Sequence, residues 1–549
     1  MAKSDLRIDV LGTTITITAD EEQEYLNKLL DKYRRTIENV QRVSGLKDPL
    51  KTAILTGFLL CDDLEKAGSA LSGSETAQKE SGEAEQLTLS IISRLDEALQ
   101  VTDTQKVTDT IFKLQNTVKN YDWGSAEWLP AFLGQKNLSR IPWAELWIGV
   151  NPAGPSRLVS GGEELLLSEL IDRDRLAFLG KETAETFGKL PFLLKLEAAA
   201  KPLSIQAHPN PEQAREGFDR ENREGIPIDA PNRNYRDSNH KPEIICAISP
   251  FAALCGFRKA AAIKNFIDIL CGEEAVLEAG LESLVSALVR QDENPYKAFL
   301  AALFNLDSEV LDALGSFVKT HVSMLVRNFP EYRDEWELCS YLAGLYPRDP
   351  GVIAPLYLNI VELAPGEAMY LPAGVFHAYI HGMGLELMAD SDNVLRGGLT
   401  HKYVDQQELF RILSFSEYRP EILKAPEPAP AWFSYPAPER EFTLSVMHSS
   451  GAPLPFPETG PAIVLVTQGS AVITGPSIAV SGANSGANNS AETVLSRGES
   501  AFIAAGDKMD MVFSGTFTAY IASCVPSGRF PMGTDSGAAY GSTASCVYS

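Results

Sequence analysis

The chain is short of positive charge. Against 72 aspartates and glutamates stand 48 lysines and arginines, a formal net charge of -24 over 549 residues. A surface of that sign repels phosphate backbones and anionic lipid heads, which excludes bulk nucleic-acid binding and attachment to an acidic membrane face. Long apolar runs are missing too: no stretch reaches the roughly eighteen consecutive apolar residues that mark a membrane-spanning helix. The opening Met-Ala-Lys-Ser-Asp has no apolar signal region. Cysteine is sparse, odd in number at seven, scattered, and never spaced Cys-x-x-Cys. A disulfide framework is excluded, and reduced thiols in the cytoplasm are expected. Histidine numbers only seven, so its placement is informative. His208, His240, His377 and His381 fall in or beside the motifs below, and the first hundred residues have none.

What is present is concentrated in two short stretches. Leu203-Ser-Ile-Gln-Ala-His-Pro209 alternates polar and apolar residues, the pattern of a half-buried strand. Residues two apart on a strand share a face, so Ser204, Gln206 and His208 point one way while Ile205 and Ala207 turn to a core. Further on, Asn239-His-Lys-Pro-Glu243 precedes the apolar run Ile244 to Ile248. Pro242 holds its predecessor extended, which makes Glu243 the opening residue of a second strand. An amide oxygen, an imidazole and a carboxylate are three ligands for one divalent ion, and zinc is the usual choice for N and O ligands in a catalytic site. The chain offers a fourth at His377. There Gly366, Pro372, Gly374 and His377 form a tight turn that returns the next strand with the histidine facing inward. Their spacing resembles the second motif of cupins. The run from Gly498 to Met509 repeats it with Ala504 for the proline and Met509 for the histidine, and reads as a degenerate second cupin without metal.

Residues 1–100 read differently from the rest. Leu6, Ile8 and Val10 alternate, Leu11-Gly-Thr13 turns, and Ile15 and Ile17 resume, as in a β-hairpin. Asp20 caps a helix with Gln23 three residues on, and its apolar stripe is Leu26, Leu29, Leu30, Tyr33, Ile37 and Val40. Pro49 opens another helix with Ile54, Phe58, Leu59 and Leu64 on its apolar side. Residues 68–84 form a flexible link, and Leu87, Ile91, Ile92, Leu95 and Leu99 mark a third amphipathic piece. Such a module has little core of its own, which predicts a homo-oligomer through its helices. Residues 101–111 are a polar linker. From 112 to 257 short apolar strands alternate with turns, as in a sandwich or barrel. Residues 258–345 read as an inserted helical domain, where Leu281, Leu284, Val285, Leu288 and Val289 share a helix face. Strands resume near Pro355, so 346–425 continues the first β domain. Residues 426–525 are the degenerate cupin, with strands at Ile463–Val466 and Ala471–Ile473 and a Gly/Ser/Asn-rich loop from Ser477 to Ala491. Residues 526–549 read as a disordered tail. The fold class is therefore mainly β: a cupin-type double barrel with an inserted helical domain and an N-terminal α+β helical oligomerisation module.

Ser204-Ile-Gln-Ala-His-Pro209, Asn239-His-Lys-Pro-Glu243 and Ser391-Asp-Asn-Val-Leu-Arg-Gly-Gly-Leu-Thr400 resemble the signature stretches of zinc-dependent, type I mannose-6-phosphate isomerases. So do Asn120-Tyr-Asp-Trp-Gly-Ser125 and Ala144-Glu-Leu-Trp-Ile-Gly149, and the match is collinear from about residue 112 to 415. Asn151 departs from it, standing where the family usually has histidine at a position that is not a ligand. The resemblance implies one zinc per chain at Gln206, His208, Glu243 and His377, and a phosphorylated hexose as substrate. The first segment resembles ZapA, a small protein of the bacterial division ring. The likeness lies in the Val10-Leu-Gly12 turn, the helix start Ala19-Asp-Glu-Glu22 and the helix ending Cys61-Asp-Asp-Leu64. It implies a tubulin-like division protein as partner and recruitment to the division site; a generic dimerising helical hairpin is the plainer alternative.

Aldose–ketose isomerisation moves a proton between C1 and C2 through an enediol. It needs a base, an electrophile and a clamp for the phosphate. Gln206 is neutral, so Glu243 alone offsets the charge of the ion, which stays a strong Lewis acid. Glu386, in the apolar run Gly384-Leu-Glu-Leu387, is the first choice of base. Lys241 is its rival or an oxyanion partner, and His240 would assist opening of the sugar ring. The resemblance gives Arg396, flanked by Gly397 and Gly398, a role in binding substrate; Lys402, Lys195 and Ser204 are the further contacts. Two other readings fit the same residues. An iron cupin dioxygenase commonly takes two histidines from its first motif, where Gln206-Ala-His208 offers one. A non-catalytic sugar-phosphate-binding cupin would need no base beside its metal.

Overall fold

The computed structural model describes residues 4–10, 13–19, 23–44, 56, 60 and 110–524, except 161–162, 274, 291–292, 477–489 and 507–510. The expected helices after Pro49 and around Leu87, the 68–84 link, the 526–549 tail, most of the Ser477–Ala491 loop and Met509 lie outside these. Internal contacts divide the chain into two compact units, 1–106 and 107–549. Among the described residues no helix is long and apolar enough to cross a membrane.

In the first unit β1 (Ser4–Val10) and β2 (Thr13–Ala19) pair antiparallel from Ser4↔Ala19 to Val10↔Thr13, the expected hairpin. A helix, Gln23–Ser44, follows. Leu26, Leu30 and Ile37 are buried, whereas Leu29 and Tyr25 are exposed. Leu29, expected on the apolar stripe, is thus turned outward.

Among the described residues the second unit holds nineteen strands. In chain order the first are β3 (Ile111–Leu114), β4 (Thr117–Lys119), β5 (Glu145–Ile148), β6 (Arg157–Ser160), β7 (Glu163–Leu166), β8 (Phe192–Ala199), β9 (Ile205–Ala207), β10 (Glu243–Ala247) and β11 (Phe251–Phe257). After the helical segment come β12 (Leu358–Leu363), β13 (Ala368–Leu371), β14 (His377–Ala389) and β15 (Leu395–Gly398). The C-terminal set is β16 (Trp432–Ser434), β17 (Thr443–Pro455), β18 (Ala462–Pro476), β19 (Ser490–Ser496), β20 (Ser500–Ile503) and β21 (Val512–Ser523).

A ten-stranded sheet runs β12-β11-β14-β8-β5-β4, with β10 branching from β14 and carrying β13, and with β9 paired to β14 and carrying β15. A seven-stranded sheet runs β16-β17-β21-β18-β20-β3, with β19 on β18. The mainly β, two-part architecture with a helical insertion is as expected, and among the described pairings neither ladder closes into a full ring. Ile111, expected as the end of the linker, opens β3. That strand pairs with β20 in the C-terminal sheet rather than with its neighbours in sequence. The stretch to 257 also contains helices, among them Arg175–Phe187 and Pro211–Arg223. The second of these has Asn210 and Gln213 in a capping box ahead of a first-turn proline, a signal the strand-and-turn reading passed over.

β14 positions the interior. From His377 to His381 it pairs with β11; from Gly382 onward it pairs with β8 on one edge and from Gly384 with β10 on the other. Gly382 sits at φ 121°, and a Cβ there would lie 2.5 Å from the Pro250 carbonyl oxygen, so only glycine makes this corner. The corner folds the two halves of one strand toward each other, and the Tyr379 hydroxyl donates to Glu386 Oε1 at 2.7 Å. β8 is buried at all eight positions. Leu194 and Leu196 pack in a core with Ile463, Leu465 and Tyr520 of the C-terminal sheet, while Leu193, Lys195 and Glu197 occupy the other face. The helices from Ala260 to Leu345 share one core with Ile205, Ala207, Leu395 and Leu399. The insertion thus backs the strands that carry Gln206 and Arg396. Val289, expected on the buried stripe, is exposed at the last residue of its helix.

Phe112 on β3 packs against Phe178, at 5.9 Å between ring centroids, and against Phe502, at 6.4 Å, stitching the C-terminal sheet to the helix Arg175–Phe187. Phe112→Ala should cost about 3–5 kcal/mol of stability, read as a lowered midpoint in urea unfolding; an unchanged midpoint would show that β3 carries no load in this seam.

Candidate metal centre

Local structure places each donor. Ile205 and Ala207 are fully buried in the helical core, which turns Gln206 to the opposite face. Register sets Gln206 opposite His377 on β14 and opposite Arg396 on β15. Opposed residues in a ladder share a face, so all three converge. Ser204 and His208 flank β9 rather than lying in it, Ser204 half-buried and His208 buried. Glu243 opens β10 directly after Pro242, as the sequence predicts. Gly374, at φ 76°, makes the turn before β14; a Cβ there would lie 2.8 Å from the Ile412 carbonyl oxygen.

His208, Glu243 and His377 offer ligand atoms that all lie within 4.8 Å of one another, and all three residues are buried. Glu243 Oε1 is 3.4 Å from His208 Nε2, and Oε2 is 3.3 Å from His377 Nε2. Both Nδ1 atoms face backbone carbonyls, His208 that of Asn393 at 2.8 Å and His377 that of Val375 at 3.0 Å. A carbonyl only accepts, so each Nδ1 carries the proton and each neutral ring keeps a lone pair on Nε2. Burial, reinforced by the Lys241 ammonium, pushes His208 down to about 4, which keeps it neutral. Burial opposes ionisation of Glu243, but the Lys241 ammonium overrides it and holds its carboxyl well below the usual range.

This donor set fits zinc. Although only 3.3 Å apart, His377 Nε2 and Glu243 Oε2 make no hydrogen bond to each other or to any other group. Two buried lone pairs facing each other without a donor cost free energy unless a cation lies between them. The backbone carbonyls behind both rings are the outer contacts that orient metal-ligating histidines.

The structure brings further residues to this cluster. Lys241 Nζ contacts Glu243 Oε1 and lies 3.5 Å from His208 Nε2. On the neighbouring wall Lys195 Nζ pairs with Glu386 Oε2 at 2.9 Å, and both side chains are buried. Burial works against the Lys195 charge, but Glu386 and then Glu145 raise its pKa well above the ordinary value. Arg396 loses basicity through burial and through the charge of Arg236. Lys402 loses it through burial, then Arg396 and, more weakly, Arg236. Among the described residues none of these three cations forms an ion pair, and Lys402 Nζ lies 5.6 Å from the centroid of the Tyr121 ring. His240 is placed elsewhere: its Nε2 pairs with Glu441 at 3.0 Å in a separate group that includes Glu439.

Sequence reasoning missed Arg236, Asn393 and Asp349. Asn393 is fully buried, accepts from the backbone amides of Arg236 and Asp237, and donates to the carbonyls of Asp237 and Asn239. One amide thereby fixes the loop that leads into Lys241 and Glu243. Asp349 accepts from the amides of Leu399 and Thr400 and so holds the turn after Arg396. Each lies in a polar loop without periodicity; the Asn393 signal was only its place inside the Ser391–Thr400 motif. Asn151, the departure from the family pattern, donates to Asp390 Oδ1 at 2.9 Å, next to that motif.

Comparison with known proteins agrees with this geometry. The family description "Phosphomannose isomerase type I, catalytic domain" matches residues 111–260, and "Cell division protein ZapA" matches residues 6–117. Mannose-6-phosphate isomerase of Escherichia coli is 36% identical over 398 residues, covering 72% of this chain and 95% of the relative. Its counterpart in Salmonella typhimurium is 37% identical over 407 residues, covering 74% and 97%. Among solved structures, zinc-bound mannose 6-phosphate isomerase superposes with a TM-score of 0.65 at 34% identity, over 76% of this chain and all of that one. A mutant phosphomannose isomerase from Salmonella typhimurium gives 0.66 at 34% identity over the same shares. With two histidines and a carboxylate arranged to hold zinc on a scaffold that spans these relatives almost end to end, the chain belongs to the type I phosphomannose isomerase family.

Proposed function

We propose that this chain interconverts mannose 6-phosphate and fructose 6-phosphate at one zinc held by Gln206, His208, Glu243 and His377. The observation that carries the reading is the pair of imidazoles locked by backbone carbonyls, both presenting Nε2 to one buried carboxylate. When bound, zinc supplies a Lewis acid that polarises a substrate oxygen. Arg396, Arg236 and Lys402, which converge without carboxylate partners, form the phosphate clamp; the mutual repulsion of unpaired cations is relieved by a dianion. Glu386 is the proposed base. Lys195 and Tyr379 fix its two oxygens and keep the carboxylate in one orientation on the wall next to His377. Lys241, in contact with Glu243, is placed to donate to an oxyanion as charge develops.

The N-terminal unit is proposed to self-associate and to tether the enzyme to a tubulin-like division protein. The ZapA match supports this, as do Tyr25 and Leu29, which stand exposed beside the buried stripe of the helix. Association driven by apolar area should persist in high salt.

His208→Ala and His377→Ala should each remove both the zinc and coupled isomerase turnover; retention of about one zinc per chain by both variants, measured by elemental analysis, would sink the assignment. Arg396→Ala should leave zinc content and fold intact. It should cost about 1.5–3 kcal/mol of transition-state binding, roughly a 10- to 100-fold loss in kcat/KM; wild-type kinetics would remove Arg396 from the clamp. A chain cut to residues 107–549 keeps β3 whole and should retain activity while losing the larger oligomer in sedimentation. An unchanged oligomer would place self-association elsewhere.

A further inference from the structure

The wall beside the metal cluster holds three buried carboxyl groups and one ammonium. Register sets Glu197 of β8 opposite Glu145 of β5 and Gly384 of β14, with Lys195 opposite Glu386 two residues along the same face. Glu145, Glu197 and Glu386 are 7%, 1% and 3% exposed, so water does little to offset their charge. Glu386 is fully engaged: Oε2 accepts from Lys195 Nζ and Oε1 from the Tyr379 hydroxyl. Glu145 Oε2 accepts from the Trp147 indole N–H at 2.6 Å. Glu197 has neither arrangement. Its Oε1 is 3.8 Å from Lys195 Nζ, beyond hydrogen-bond reach, and its Oε2 is buried with no partner. A carboxylate in that position would be an anion without donors, which is far costlier than a neutral acid there.

We propose that Glu197 is carried as a neutral carboxylic acid and acts as a positioning residue, leaving Lys195 wholly to Glu386. Burial, then the Glu145 and Glu386 carboxylates, raise its pKa well above the carboxylate range, only partly opposed by Lys195 and Lys241. The charged and titratable groups facing it are Lys195 on its own strand, Glu145 from β5, Glu386 from β14, Lys241 from the segment before β10, and Tyr121. Ionisation would set a second anion near Lys195, pull the ammonium off Glu386, and add negative charge to a wall that must admit a sugar phosphate. The kinetic part of this inference deepens the isomerase reading and rests on it; the spectroscopic and stability parts do not.

The test uses the full-length holoenzyme. At neutral pH the infrared difference between wild type and Glu197→Gln should show a protonated-carboxyl carbonyl band in the wild type alone, and that band should bleach as pH is raised. Loss of a carboxylate band instead overturns the proposal, whatever the activity. Because the folded-state pKa is raised, wild type loses stability as pH climbs above the unfolded value of about 4.3, until Glu197 titrates. The urea midpoint of Glu197→Gln relative to wild type should therefore rise as pH climbs from about 5; a constant difference overturns the proposal. In kinetics, Glu197→Leu should lower kcat at least about tenfold, and Glu197→Gln, the isostere of the neutral acid, should restore most of it. Ionisation of Glu197 should raise the wild-type KM at alkaline pH, and Glu197→Gln should show no such rise. A Gln variant as impaired as the Leu variant, with zinc retained, counts against the neutral acid.

Discussion

The site depends on one buried charge, the Glu243 carboxylate. Taking a carboxylate out of water costs several kcal/mol, and attraction offsets that only when geometry is close to ideal. Here Lys241 Nζ contacts one oxygen, and His208 and His377 approach one oxygen each. Each neighbour needs its own support. Asn393 ties down the loop that feeds Lys241 and lends its carbonyl to His208, and the turn at Gly374 delivers His377. Loss of any one support leaves a charge stranded rather than merely a contact missing.

Packing on two sides makes this possible. The helical layer backs β9 and β15 through Ile205, Ala207, Leu395 and Leu399; the C-terminal sheet backs β8, β10 and β14 through Leu194, Ile244 and Leu387. Strands buried on both faces can keep polar side chains away from water on one of them. That is how Lys195, Glu197 and Glu386 come to share a dry wall.

Much of this was legible in the sequence, for a physical reason. The proposed ligand positions sit where local rules are strong: alternation around Gln206, the proline before Glu243, and the glycine–proline turn before His377. The helical insertion announced itself by periodicity at Leu281, Leu284 and Leu288. Failures cluster where structure is set by distant partners. β3 looks like the opening strand of the first domain, but its pairing with β20 is non-local and leaves no trace in neighbouring residues. Arg236, Asn393 and Asp349 act from loops through backbone hydrogen bonds that follow no period. His240, expected to assist ring opening, has its ring against Glu441, a partner distant in sequence.

The early strand β3 has a consequence for synthesis. The adjoining Asn116 side chain donates to Ser500 Oγ at 2.8 Å, across 384 residues of sequence. A ribosome making this chain releases one edge of the C-terminal sheet long before its partner strand exists. The catalytic half must condense while that edge waits unpaired. Closing so long a loop adds little entropy cost beyond that of a loop half its length, but it postpones the final pairing until the chain is nearly complete. In the interval β3 is an open template for other chains. Premature association of nascent chains through this strand is the hazard built into the topology, and prompt completion of the C-terminal sheet is what ends it.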